Sequence, residues 1–178
     1  MKIIRSTVLI SIFVFIMSGL VQASSFYLHD HANYWWYIQQ APGFSIVVPN
    51  TAERYVQKQY FGRSVLEMTW NDGAVIMEIG SIQGHEVSEV QQFVAGRFTP
   101  FVGNINVLSN RQITTSNDLF AHFYAFDGIG SDGKRSMLRS VYFNREDVVV
   151  YLALYLPSAS YRGDLQSHWL RAVNEFEW

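Results

Sequence analysis

The chain contains no cysteine. That excludes disulfides, thiolate nucleophiles, Cys-ligated zinc and iron–sulfur clusters, and it leaves no attachment point for a lipid at the end of a leader. Charge is scarce too: 16% of the 178 residues are charged, and no Lys/Arg cluster forms a phosphate track or an anionic-lipid patch. Nucleic acid is not an expected partner. Internal repeats, charge blocks and low-complexity linkers are absent, as are the Gly-x-Ser-x-Gly and His-Glu-x-x-His signatures of common hydrolases. No cofactor is expected.

What is present is a chain with 49% hydrophobic and 16% aromatic residues, too apolar for a disordered tail and too mixed for a multi-span membrane protein. Its first residues differ from the rest. Lys2 and Arg5 precede an apolar run from Val8 to Met17 broken only by Ser11, and Val21-Gln22-Ala23 supplies a small-residue cleavage pattern. Residues 1–23 therefore read as a secretory signal peptide cut after Ala23, with an uncleaved anchor as the alternative. Loss of Lys2 and Arg5 leaves 11 basic and 15 acidic residues, a formal charge of −4. A mature domain of about 155 residues buries roughly two thirds of its unfolded surface, enough to stand without staples.

Residues 24–41 form an aromatic N-terminal segment, SSFYLHDHANYWWYIQQA with few charges, and residues 42–178 are expected to be a single α+β domain. In that domain FSIVV, between Pro42-Gly43 and Pro49, reads as a strand, and Tyr55–Tyr60 extends it or forms another. Ser64–Trp70 and Ala74–Ser81 flank Asn71-Asp72-Gly73, a hairpin signal in which Asp72-Gly73 supplies positive φ. From His85 to Phe98 the period changes: Val87, Val90, Phe93, Val94 and Phe98 share a helical face that Glu86, Glu89, Gln92 and Arg97 avoid. Three strands follow over Ile105–Thr114, Leu119–Asp127 and Lys134–Phe143. DVVVYLALYL (147–156) is apolar almost throughout, the mark of a central strand covered on both faces. After Pro157, Ser160 is positioned to cap a last helix carrying Tyr161, Leu165, Trp169, Val173 and Phe176. Strands without regular helical crossovers favour an antiparallel β-sheet flanked by two main helices.

Several residue groups invite a chemical reading. Gly128-x-Gly130-x-x-Gly133 matches a dinucleotide-binding pattern, but KRSMLRSVYF after it alternates like a strand, and a phosphate loop needs a helix there. A hairpin turn is expected instead. His29 and His31 point to one side of an extended segment and are the candidate metal ligands, with a distant carboxylate or His85 to complete a site. His122 and His168 are candidate general bases, and Glu67 and Glu78 lie on opposite arms of the hairpin, placed to pair across it as the two carboxylates of a glycosidase do. A solvated sheet face accounts for them more simply.

The run Tyr34-Trp35-Trp36-Tyr37 is the most informative feature. Successive side chains of a strand face opposite ways, so four adjacent aromatics cannot all enter one core. Aromatics are enriched in interface cores, which makes Phe26, Tyr27, Tyr34, Trp35, Trp36 and Tyr37 the candidate protein-binding residues. Packing onto the domain is the alternative.

From Pro42 onward the arrangement resembles the PsbP/Mog1 superfamily and its DcrB-like exported bacterial proteins. PGFSIVVP, the helix EVSEVQQFVAGRF after a hairpin, and the closing YLALYLPSASYRGDLQSHWLRAVNEFEW carry the resemblance, over about three quarters of the chain. It implies a sheet flanked by helices in a mostly non-enzymatic group of adaptors and assembly subunits, with no catalytic motif to transfer. The expectation is thus an exported, periplasmic or secreted, non-catalytic protein-binding domain, an accessory part of a bacterial envelope or secretion assembly with no stable membrane insertion after cleavage. A periplasmic small-ligand or metal-binding protein is the alternative.

Overall fold

The computed structural model describes residues 24–60, 63–98, 105–129, 133–160 and 163–178. The expected signal peptide, residues 1–23, lies outside them. Among the described residues ten strands form two antiparallel sheets, and two longer helices accompany them, so the class is α+β. No helix among the described residues is long and apolar enough to cross a membrane.

Strands β4 (Arg54–Tyr60), β5 (Arg63–Trp70) and β6 (Val75–Gln83) form a meander, and helix α1 (Val87–Phe98) then crosses one face. Strands β7 (Asn106–Thr114), β8 (Phe120–Ile129), β9 (Arg135–Arg145) and β10 (Val148–Pro157) meander back from the far edge, and β10 pairs with β6. The resulting order is β4-β5-β6-β10-β9-β8-β7. The unbroken apolar run of β10 thus sits at the centre. Val150, Leu152, Leu154 and Leu156 enter one core, while Val149, Tyr151 and Ala153 enter the other.

The β5–β6 hairpin turns as its sequence dictates, with positive φ at Asn71, Asp72 and Gly73. The Glu53 carboxylate accepts the N–H groups of Asn71 and Asp72 at 2.9 and 3.1 Å, which satisfies donors the tight turn leaves unpaired. The Gly128–Gly133 pattern joins β8 to β9, whose register Gly128↔Ser136 and Ile129↔Arg135 makes it a hairpin rather than a strand-to-helix phosphate loop.

One expectation needs correction. The fold is more than a single sheet between two helices, because β1 (Ser24–Leu28), β2 (Tyr34–Gln39) and β3 (Phe44–Pro49) make a second sheet of order β1-β2-β3. FSIVVP therefore pairs with the aromatic segment and not with Tyr55–Tyr60, which form part of β4 of the larger sheet. The reason lies in the alternation of YWWYIQ: Trp35, Tyr37 and Gln39 face inward beside Phe44, Ile46 and Val48 of β3, giving β2 and β3 a common apolar face. That face, together with α2 (Gly163–Asn174), covers one side of the larger sheet. α1 covers the other.

The closing helix also begins later than expected. Ser158–Ser160 form a single 3₁₀ turn, and α2 starts at Gly163, so Ser160 does not cap it. Leu165, Trp169 and Val173 are buried as the period requires, and Phe176, just past the helix, stacks on Phe143 with ring centroids 3.9 Å apart. Tyr161 lies outside the described residues.

Candidate functional site

The aromatic segment divides by strand parity. Tyr37 is buried and its hydroxyl donates to Gln39 Oε1 at 3.3 Å, with burial pushing the phenol's pKa upward. Trp35 packs beside it against the main core, and the Phe26 ring touches Trp35, Tyr37 and Tyr55 at centroid distances of 5.8, 5.3 and 6.4 Å. Tyr34 and Trp36 face outward, in register with Pro49 and Val47 of β3. The segment therefore serves two purposes: its inner residues complete a core, and its outer ones coat a sheet.

β3 and β1 differ as edges. The outer side of β3 is occupied by the C-terminal tail, since Ser45 and Glu177 exchange backbone N–H···O bonds of 2.9 Å each. β1 has no second backbone partner among the described residues. The His29 N–H donates to the Tyr34 carbonyl, and because hydrogen-bonded pairs alternate along an antiparallel ladder, the N–H and C=O groups of Ser24, Phe26 and Leu28 point away from β2. The side chains along this edge are apolar and open to solvent: Phe26 is 42% exposed, Tyr27 57% and Leu28 86%.

The histidine pair sits where β1 ends. The rings of His29 and His31 stack at 5.5 Å. His29 Nδ1 accepts the His31 backbone N–H at 3.0 Å, so Nε2 carries the proton and donates to Glu175 Oε2 at 2.9 Å. Both nitrogens are engaged, which leaves His29 no lone pair for a metal. His85 is elsewhere, beside α1, between Arg63 Nη2 at 3.1 Å and Glu89 Oε2 at 3.2 Å. Among the described residues no three His, Asp or Glu side chains are grouped so as to hold a metal ion.

His29 instead ties the small sheet to the end of α2 through Glu175. Glu175 also accepts from Arg171 Nη1 at 3.0 Å, the Arg171 guanidinium lies 4.8 Å from the centre of the Tyr34 ring, and the Tyr34 hydroxyl is 2.9 Å from His168 Nδ1. His168 is thus tied to Tyr34. His122, on β8, has Nε2 2.6 Å from Asn110 Oδ1.

Glu67 and Glu78 are direct cross-strand partners, as the hairpin implied, but on the side covered by α1 and not in solvent. Arg97 lies between them: Nε donates to Glu78 Oε2 at 2.7 Å and Nη2 to Glu67 Oε2 at 2.9 Å. Lys58 Nζ donates to Glu67 Oε1 at 2.5 Å, and the Tyr151 hydroxyl donates to Glu78 Oε1 at 2.8 Å. Two carboxylates and two cations balance. Burial raises the Glu78 pKa above the usual carboxylate range, against the hydrogen bonds and charge of Arg97, and burial beside Glu78 raises that of Tyr151. A substrate would have to displace these bonds, since each Glu78 oxygen is already an acceptor. The helical period had placed Arg97 on the solvent side of α1. It borders the stripe Val90, Val94 and Phe98, and its long side chain reaches back to the sheet.

Gly80 belongs to the same network. A Cβ there would lie 2.6 Å from three atoms of Tyr151, its cross-strand neighbour, so the missing side chain makes room for the ring whose hydroxyl holds Glu78.

No protein-family model matches the chain, and no match to a curated protein is found. Among solved structures, the solution structure of cyanobacterial PsbP from Synechocystis is similar with a TM-score of 0.55 at 8% identity, covering 83% of this chain and 93% of that one. The fold is PsbP-like. At that identity the likeness is one of architecture alone, and the PsbP-like frame leaves the chemistry of β1 and of the Arg97 cluster to this chain's own residues. A Pseudomonas aeruginosa protein of unknown function is also similar, at 15% identity and a TM-score of 0.38, over 82% of this chain and 88% of that one.

Proposed function

We propose that this protein is an exported, non-catalytic domain that binds a protein partner through its N-terminal aromatic segment, as an accessory part of a bacterial envelope or secretion assembly. One observation carries the reading: among the described residues β1 is an unpaired edge whose exposed Phe26, Tyr27 and Leu28 lie beside outward-pointing backbone donors and acceptors. Sheets usually blunt such edges with charge, proline or a covering element, because an open edge recruits another strand. The partner accordingly adds an extended apolar segment to β1, with main-chain bonds giving affinity and alternate side chains giving specificity. The leader-like residues 1–23 support export. The closed Arg97 network supports the absence of catalysis from Glu67 and Glu78.

Leu28→Pro tests this. Proline at 28 removes an outward N–H without touching the β1–β2 ladder, a position where an edge strand tolerates it. Partner capture after cross-linking in intact cells should fall at least about tenfold, the equivalent of about 1.4 kcal/mol. The unfolding midpoint should move by no more than about 3 °C. Undiminished capture by the folded variant would overturn the proposal.

A further inference from the structure

Among the described residues, the face of the larger sheet that carries α1 is only partly covered. Beyond Val87, at the helix start, the ends of β7, β8 and β9 form an open, shallow cavity of about 290 Å³ lined by Gln112, Phe120, His122, Tyr142 and Asn144. It lies on the opposite side of that sheet from β1, and nothing said of β1 bears on it.

The polar wall carries no formal charge. Gln112 and Asn144 are exposed, and their side-chain amides make no hydrogen bond among the described residues. Each amide offers two donors and an acceptor oxygen. His122 Nε2 donates to the Asn110 amide oxygen, so Nδ1 is left as an acceptor. Tyr142 is buried and donates to Ser140 Oγ at 3.0 Å, which makes it floor and not ligand donor. Phe120, at 79% exposure, sets an aromatic ring at the mouth.

We propose that this cavity binds a neutral saccharide. A pyranose presents adjacent hydroxyls, each both donor and acceptor, along one edge and C–H groups on one face. Gln112, Asn144 and His122 match the edge, and the Phe120 ring matches the face. The volume, at the lower end for small-molecule sites, suits one or two sugar rings. The adjoining cavity, about 330 Å³ and also reaching Asn144, is lined by Glu86, Glu89, Glu146 and Asp147 together with His85, so carboxylates outnumber the one imidazole. Its negative field turns away uronic and phosphorylated sugars.

Titration of the ¹⁵N-labelled protein with glucose, N-acetylglucosamine, glucuronate and N-acetyl-alanine methylamide, followed by NMR, provides the test. One of the two neutral sugars should produce saturating shifts at Gln112, His122 and Asn144, with a Kd of about 1–10 mM. Glucuronate should bind at least about fivefold more weakly, and Phe120→Ala and Asn144→Ala should each weaken the neutral sugar at least about fivefold, the scale of one lost hydrogen bond. Both side chains are exposed, so the fold should persist in the variants, checked by their amide spectra. Absence of saturation with either neutral sugar, saturation by the peptide mimic instead, or unchanged affinity in both variants would overturn the proposal.

Discussion

Under β1–β3 and α2 the larger sheet presents Leu66, Met68, Met77, Ile79, Leu152 and Leu154, whereas under α1 the same strands present Glu67, Glu78, Gly80 and Tyr151. Strands β5 and β6 thus alternate between an apolar face and one where a charge network borders the apolar cluster under α1. The difference follows from what covers each face. A 12-residue helix is about 18 Å long, while seven strands at about 4.8 Å spacing span about 29 Å. α1 alone cannot seal its face. Charge is tolerated near its edge because Arg97 and Lys58 retain some access to water, and the β7–β8 end remains open. On the opposite face a three-stranded sheet and α2 together exclude solvent, so the residues there are mostly aliphatic and aromatic, and the buried Gln39 amide is satisfied by Ser81 and the Ala41 carbonyl.

Three substitutions sharpen this contrast. The largest effect belongs to the sealed face: Phe176→Ala, which removes a fully buried ring stacked on Phe143, should cost about 3–5 kcal/mol, read by urea unfolding. On the α1 face, Arg97→Met leaves two buried carboxylates facing each other and should cost about 3 kcal/mol. Adding Glu67→Gln and Glu78→Gln to that variant should recover most of the loss, because the penalty comes from uncompensated charge. Failure of the triple variant to recover would mean that Arg97 acts through packing, as the residues of the other face do. Gly80→Ala should cost about 1–3 kcal/mol by forcing the Tyr151 ring aside, and the loss in Gly80→Ala/Tyr151→Ala should be smaller than the sum of the single losses.

Much of the frame was legible because its signals are local. Asn71-Asp72-Gly73 specifies a turn whatever surrounds it, and the apolar run of β10 requires cover on both sides. The period of α1 marks Val90, Val94 and Phe98 as its buried stripe. Pairing between distant segments was not legible. The alternation within YWWYIQ shows that half its rings face a core, but not that β3 would be its neighbour, so a second sheet went unforeseen. Arg97 escaped for a related reason: helical periodicity places a Cβ, whereas a long side chain at the border of the stripe chooses its own direction. Gly80 gives no sign in the sequence that a cross-strand tyrosine needs its space. Of the candidate site residues, the structure turns Tyr37 and Trp35 inward, uses His29 and Tyr34 to hold α2, and leaves Tyr27 open to solvent, with Leu28 exposed beside it. Leu28 had not been singled out, since a lone leucine carries no signal of its own.

The middle of the larger sheet is filled by residues 148–157, which follow every other strand of that sheet in the chain. Until they arrive, β4–β6 and β7–β9 are two separate ribbons with open flanks and no shared interior. Completion depends on long-range pairing, which is slow compared with local contacts. The continuity of the larger sheet therefore rests on one strand, and the docking of β10 between the two ribbons is the event that turns them into a single interior.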